Sequence, residues 1–159
     1  MISCMMRFTL IIVEKMDLCT FIWRRYGKLL NEIREALEEL QHKNPEVFGE
    51  KVAYGKMKQD DVPDLWNYIT FNRVQIKKSG TSLRDYNLYY QINMIHEDYI
   101  PENAVFLLIE RLSKINGLKE ANEDVVFDYT IKAKTDTVVE AAVILFTEPV
   151  KGYRKRGTT

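Results

Sequence analysis

The sequence predicts an α+β fold: a mostly antiparallel sheet of four to five strands with two helices packed on one face. Two segments repeat apolar residues every three or four positions, which is typical of amphipathic helices. Other segments alternate apolar and polar side chains, which is typical of strands with one covered face. The strands fall in hairpin order on either side of the second helix, and hairpins join antiparallel strands.

The first helix is predicted over residues 21–42. Its apolar side chains recur three or four positions apart while glutamates fill the opposite side; the apolar positions are Ile22, Tyr26, Leu29, Leu30, Ile33, Leu37 and Leu40. Asn44-Pro45 ends the helix, because proline disfavours helical geometry in the residue before it. A short strand within residues 52–57 and a polar turn at residues 60–64 are expected next.

Residues 65–76 are rich in bulky β-formers and predict a strand with an irregularity at Asn72-Arg73. Residues 85–97 give the clearest strand, because apolar and polar side chains alternate over its whole length. One face carries Tyr86, Leu88, Tyr90, Ile92, Met94 and His96, and the other carries mainly polar residues. A flexible connection over residues 77–83 is expected to join these two strands as a hairpin.

A second helix is predicted from Pro101 to Ile115, with Gly117 as its stop. A closing hairpin follows, formed by residues 125–133 and 138–147 and ended by Glu148-Pro149. The last strand is apolar on both faces, which indicates a central strand or one that meets a partner subunit.

The domain organisation is predicted as one α+β domain over residues 21–150. Residues 1–20 are expected to be an N-terminal extension, either disordered or not native if translation starts at Met16. Glu14 interrupts the apolar run before it reaches the length of a signal sequence or a membrane span. Residues 151–159 are expected to be a basic tail, whose simplest interpretation is a solvated terminus.

Composition and motifs favour a protein without catalysis, cofactor or metal. Lys plus Arg and Asp plus Glu number 23 each, whereas a general nucleic-acid binder usually has a basic surplus. The sequence contains no glycine-rich phosphate loop, no Gly-x-Ser-x-Gly elbow and no Cys-x-x-Cys pair. A metal site at His96, Glu97 and Asp98 is disfavoured, because no ligand spacing supports it. Glu97 and Asp98 are not expected to converge as an acid/base pair, because adjacent residues of a strand point to opposite faces.

The order of elements resembles the tail terminator (tail completion) proteins of long-tailed bacteriophages and prophages. The resemblance spans residues 28–154. It begins with an amphipathic helix (Leu29 to Leu40) and continues with Asp61-Val62-Pro63 before an aromatic strand. A tyrosine-rich strand (Tyr86 to His96) then leads straight into a helix (Asn103 to Ile115), and a closing hairpin ends in Val139-Glu140-Ala141-Ala142-Val143-Ile144-Leu145-Phe146-Thr147. The N-terminal extension departs from the pattern, since such proteins usually begin at the first helix.

The resemblance implies a structural subunit that forms a ring, expected to be a hexamer, at the head-proximal end of the tail tube. Such a ring stops tube growth and helps head–tail joining. The implied partners are other copies of the chain, the tail tube protein and a head-completion or connector protein, with nucleic acid met only in the ring lumen and no membrane. The implied location is the virion tail, after assembly in the host cytoplasm.

Polar and basic side chains are the candidate interface. They are Lys77, Lys78, Arg84, Asn87, Tyr89, Gln91, Asn93, Lys151, Arg154, Lys155 and Arg156. Uncharged amides and a tyrosine on a sheet face are typical of interfaces. Three alternatives stay open at this point: another head–tail connector or neck protein, a small nucleic-acid-binding module using the sheet face and the basic tail, and an enzyme whose site includes His96.

Overall fold

The computed structural model describes residues 28–80, 85–121 and 124–150. The chain divides into two compact units, Met1–Glu35 and Ala36–Thr159. The described residues of the first unit, 28–35, are helical, and the second unit contains the continuation of this helix and all later elements. The predicted extension over residues 1–20 and the predicted tail over residues 151–159 lie outside the described residues.

Three helices and a 3-10 turn are present in the described residues. They are α1 (28–43), α2 (Pro45–Phe48), the 3-10 turn (Gln59–Asp61) and α3 (Ala104–Ser113). The predicted stop of α1 is confirmed, because Pro45 starts α2 and Asn44 is no longer helical. The predicted start at residue 21 lies outside the described range. Residues 45–48 were not predicted to be helical, since a segment of 4 residues is too short to show a period.

Six strands form one sheet. They are β1 (Lys51–Tyr54), β2 (Tyr68–Lys78), β3 (Tyr86–Glu97), β4 (Lys119–Glu120), β5 (Val126–Ile131) and β6 (Val138–Val150). The sheet order is β1-β2-β3-β6-β4, with β5 also paired to β6. The pairing of β1 with β2 is parallel, and the other described pairs are antiparallel.

The predicted α+β class with a mostly antiparallel sheet is therefore confirmed, whereas the predicted count of four to five strands is wrong. The sixth strand is β4, whose 2 residues are too few for an alternation to be visible in the sequence. The predicted end of the last strand at Glu148-Pro149 is also wrong, because β6 continues to Val150. Since β4 reaches only Thr147, Pro149 lies where β3 is the described neighbour of β6, and there a missing N–H is tolerated.

The sheet has two distinct faces. The inner face consists of buried apolar residues in three adjacent strands, and its centre is Ile92 of β3, which lies between Phe71 of β2 and Ile144 of β6. The outer face consists of the alternate positions, which are half-buried in most of β3. This outcome confirms the alternation predicted for residues 85–97, except that Tyr86 at the strand's start is exposed.

Two contacts of α3 place it relative to neighbouring elements. The backbone N–H of Ile100, shortly before α3, donates to Glu140 Oε2 at 2.5 Å, and Glu140 lies on the inner face of β6. Arg111 of α3 donates from Nε and Nη2 to Glu39 Oε2 of α1, at 3.1 and 2.5 Å. Lys43 and Arg111 together lower the pKa of Glu39 to about 2. The buried side of α3, formed by Ala104, Val105, Leu108 and Leu112, supplies apolar surface for the core.

Strand β2 contains the irregularity that its sequence predicts. The register with β3 shifts between Arg73 and Gln75, so Val74 is the extra residue of a bulge, just after the predicted position Asn72-Arg73. Beyond the bulge β2 is largely exposed, including Lys77 and Lys78 at its end. None of the described helices is long and apolar enough to cross a membrane.

Gly49 lies directly against the backbone of Asn67. Its φ is +74°, and a Cβ on it would lie 1.8 Å from the carbonyl oxygen of Asn67. Gly55 has a similar φ of +76°, but a Cβ there would meet nothing within 4 Å. Substitutions at these two glycines therefore distinguish the cost of steric overlap from the cost of backbone strain.

We predict that Gly49→Ala lowers the free energy of unfolding by more than about 3 kcal/mol, because strain adds to a clash with fixed backbone. Gly55→Ala is the matched control, with a loss of about 1 kcal/mol from strain alone. Urea denaturation followed by circular dichroism measures both losses. Equal losses would contradict the proposed close approach of Gly49 to Asn67.

Candidate interaction surface

Five of the predicted interface residues lie together on the outer face. Lys77 is paired with Asn87 across the β2–β3 ladder, and its Nζ lies 4.8 Å from the centre of the Tyr89 ring. Asn93 Nδ2 donates to Thr70 Oγ1 at 3.0 Å, and Gln91 Nε2 donates to Asn93 Oδ1 at 2.5 Å. The amides of Gln91 and Asn93 are therefore hydrogen-bonded within the subunit.

The other predicted interface residues are separate from this group. Lys78 is paired with Tyr86 and follows Lys77 directly, so its side chain points to the opposite face of β2. Arg84 and the four tail residues, Lys151, Arg154, Lys155 and Arg156, lie outside the described residues, and their role stays a prediction.

The structure does not bring His96, Glu97 and Asp98 together. His96 is buried on the inner face, with Nδ1 3.2 Å from the carbonyl oxygen of Glu97 and no hydrogen-bond partner for Nε2 among the described residues. Glu97 lies on the outer face, and Asp98 is exposed at a positive φ of 68°. Within residues 28–80, 85–121 and 124–150, no group of three or more His, Cys, Asp or Glu side chains is placed to hold a metal ion.

The exposure of strand β5 is the feature that the sequence reasoning missed. Every residue of β5 is exposed, although its register with β6 puts Phe127 opposite Ala142 and Tyr129 opposite Glu140 on the inner face. The exposed fractions of its apolar and aromatic side chains are 52% for Val126, 43% for Phe127, 67% for Tyr129 and 66% for Ile131. Alternation in the sequence predicts a strand but does not tell whether another layer covers it.

The edge of β5 lacks the features that normally protect a sheet edge. In the described residues β5 pairs with β6 alone, so its other side carries unpaired N–H and C=O groups. The strand contains no proline and no lysine, and Asp128 is its one charged residue. An unprotected edge strand with exposed apolar side chains on both faces is typical of a surface that pairs with another chain.

Contacts at two points hold β5 in place. The carboxylate of Glu140 beside the Tyr129 hydroxyl raises the pKa of Tyr129, because ionisation would put two anions side by side. Directly after β5, Lys132 Nζ lies 2.5 Å from Glu97 Oε1 and also donates to the carbonyl oxygen of Asp64. The backbone N–H of Trp66 donates to the same Glu97 oxygen at 2.8 Å.

The ion pair between Lys132 and Glu97 is mostly shielded from solvent. The side chains are 20% and 14% exposed, and Lys132 Nζ lies 5.7 Å from the centre of the Trp66 ring. The hydrogen bonds from Lys132 and then from the Trp66 backbone lower the pKa of Glu97. These contacts of Lys132 therefore anchor the hairpin of β5 and β6 to the end of β3 and to the segment before β2.

Comparison with known proteins adds no relative. No protein-family model matches the chain, and no curated protein matches it by sequence.

We predict that Lys132→Met lowers the free energy of unfolding at pH 7 by about 1–2 kcal/mol, because it leaves the shielded Glu97 carboxylate without its cation. Lys134→Met, at an exposed position of the same turn, is the control and changes stability by less than about 0.5 kcal/mol. Urea denaturation measures both variants. Equal stability of the two would contradict the anchoring role of Lys132.

The same pair predicts a pH dependence. Because the folded pKa of Glu97 lies below its ordinary value of 4.5, the stability from this carboxylate is present above pH 4.5 and is lost as the pH falls through the folded value. We expect Lys132→Met to reduce the dependence of stability on pH below 4.5, while the contribution of Glu39, with its pKa of about 2, remains. Denaturation series from pH 5 down to pH 2 measure this, and an unchanged slope would contradict it.

Proposed function

We propose that this chain is a structural subunit of a bacteriophage tail, the tail terminator. In this proposal copies of the chain form a ring, expected to be a hexamer, at the head-proximal end of the tail tube. The ring stops tube growth and helps to join the head. The single observation that carries the proposal is β5, an edge strand exposed on both faces and rich in apolar side chains.

The element order supports the assignment to tails. An amphipathic helix, an aromatic strand, a long tyrosine-rich strand leading into α3, and a closing hairpin are the features that resemble tail terminators, and each has a counterpart among α1, β2, β3, α3 and β5–β6. The proposal includes a layered subunit in which α3 and residues 36–43 of α1 cover the inner face of the sheet. The outer face then stays available for contacts between rings.

The physical requirements of a terminator are modest. A tube grows because each ring presents two complementary faces, a heterologous contact that never closes. A terminating ring needs one face that fits the tube and a second face that no further tube ring fits. It also needs lateral contacts that close the ring, for which β5 is suited. The tail tube protein and a head-completion or connector protein are the proposed partners, and the proposed location is the virion tail.

Electron microscopy of particles made when the gene is deleted from its phage or prophage tests the proposal. We expect overlong tails without heads, because nothing stops the addition of tube rings. A copy of the gene supplied in trans restores tails of normal length. Tails of normal length without heads would contradict a terminator and favour a joining or neck protein, and normal virions would contradict both.

A copy in trans that carries Phe127→Lys and Ile131→Lys tests the part played by β5. Both side chains are exposed, so the charges leave the core intact, but they place lysines in the proposed contact. We expect this copy to fail to restore tail length. A copy with Phe106→Lys, at an exposed position of α3, is the control for an added surface charge and restores it. Full restoration by the β5 variant would contradict the use of β5 in assembly.

A further inference from the structure

Among the described residues, β1 forms a second edge of the sheet, which complements the edge of β5. We propose that the ring is closed by sheet extension, in which β5 of one subunit pairs antiparallel with β1 of the next copy of this chain. This inference rests on the proposed function and specifies its subunit contact. Both strands belong to the same compact unit, Ala36–Thr159.

In the described part of the chain, β1 lies at one end of the sheet, and β4 and β5 lie at the other end, both paired with β6. Among the described residues β1 pairs with β2 alone and β5 pairs with β6 alone. A contact between the two different edges is heterologous, so each copy that joins presents a new free edge to the next. Such contacts close into a ring when a whole number of rotations between neighbouring copies makes up a full turn. Pairing of β5 with β5 would instead give a two-fold dimer and leave β1 unused.

Strand direction fits antiparallel pairing. Strand β1 is parallel to β2, and β2, β3, β6 and β5 then alternate in direction, so β5 runs opposite to β1. A rotation about an axis roughly along the strands keeps each strand's direction in the neighbouring copy. The edges of β5 and β1 therefore meet antiparallel, the pairing that predominates in this sheet.

The inner faces of the two edges match in chemistry. Tyr54 of β1 is opposite Phe71 in the ladder and contacts its ring edge-on at 5.4 Å, yet it is 45% exposed at the sheet's margin. Sheet extension preserves the faces, so Tyr54 would lie one strand away from Phe127, Tyr129 and Ile131 of the neighbour. Cross-strand aromatic pairs of this kind stabilise sheets.

The outer faces match in charge. Lys51 is opposite Tyr68 in the register and therefore lies on the outer face of β1, while Asp128 is opposite Ala141 and lies on the outer face of β5. Lys51 Nζ donates to the carbonyl oxygen of Asp61 at 2.7 Å and lies 3.7 Å from its carboxylate, and an ammonium has three donors in all. The neighbour's Asp128 would thus meet an opposite charge.

Two variants with different blocked edges test this pairing. Phe127→Lys/Ile131→Lys blocks β5 and leaves β1 intact, whereas Tyr54→Lys blocks β1 and leaves β5 intact. Circular dichroism and urea denaturation verify that each variant is folded. Light scattering and native mass spectrometry, with an affinity tag on one variant, then measure the mass of each chain alone and of the mixture over a range of concentrations.

The inference expects the wild-type chain to form rings and each variant alone to be monomeric. The mixture is expected to form a one-to-one dimer and nothing larger, because only one compatible pair of edges remains. Phe106→Lys, the control, is expected to form rings like the wild type. Self-association of the Tyr54→Lys variant, a mixture that stays monomeric, or a wild-type chain that is monomeric at every concentration would overturn the inference.

These outcomes are independent of the deletion phenotype. A chain that is monomeric in solution overturns intrinsic edge pairing but leaves a ring that closes only on the tail tube. Overlong tails would then still support the terminator. Conversely, a one-to-one dimer of the two variants together with normal tails would retain the subunit contact and reject the proposed function.

Discussion

A strand with a neighbour on one side only must leave half of its backbone hydrogen-bonding groups to water or to another chain, and within the part of the chain that the structure describes β5 is such a strand. Its position is unusual because both of its faces are also exposed, with aromatic and aliphatic side chains on the inner one. Natural proteins usually protect such an edge with lysine, proline or a bulge. Here no such protection exists within the strand, so the account depends on β5 being covered by another copy.

Contacts with the rest of the sheet order β5 within the subunit. Strand β6 pairs with β3 along its length and with β5 on its other side, and the buried carboxylate of Glu140 joins this centre to Ile100 and to Tyr129. At the end of β5, Lys132 is fastened to Glu97. Ordering a strand costs conformational entropy, and a strand ordered during folding avoids that cost when subunits meet.

The elements that bury one face only could be predicted, because their apolar side chains recur at a regular spacing in the sequence. Residues 85–97 alternate because one face of β3 is buried, and α3 shows its stripe because its inner side fills the core. The bulge at Val74 was expected within two residues, since the β-forming pattern breaks there. The two residues of β4 and the single turn of α2 carry too little sequence for any period.

The candidate surface was predicted less well, because a pattern of residue types tells which side chains share a face but not what lies over that face. The amides of the outer face, Gln91 and Asn93, were chosen as interface residues, and the structure shows them hydrogen-bonded within the subunit. The alternation in residues 125–133 predicts a hairpin strand and nothing about its exposure. Its exposure became visible only in the structure, where every residue of β5 is exposed.

Hydrogen exchange as a function of protein concentration tests the central claim most directly, because it reports on backbone groups at each edge separately. The account predicts that amides of residues 126–131 and 51–54 gain protection together as the protein assembles, while α3 is unchanged. Assembly that protects α3 or the outer face of β3 and leaves both edges exchanging freely would contradict it.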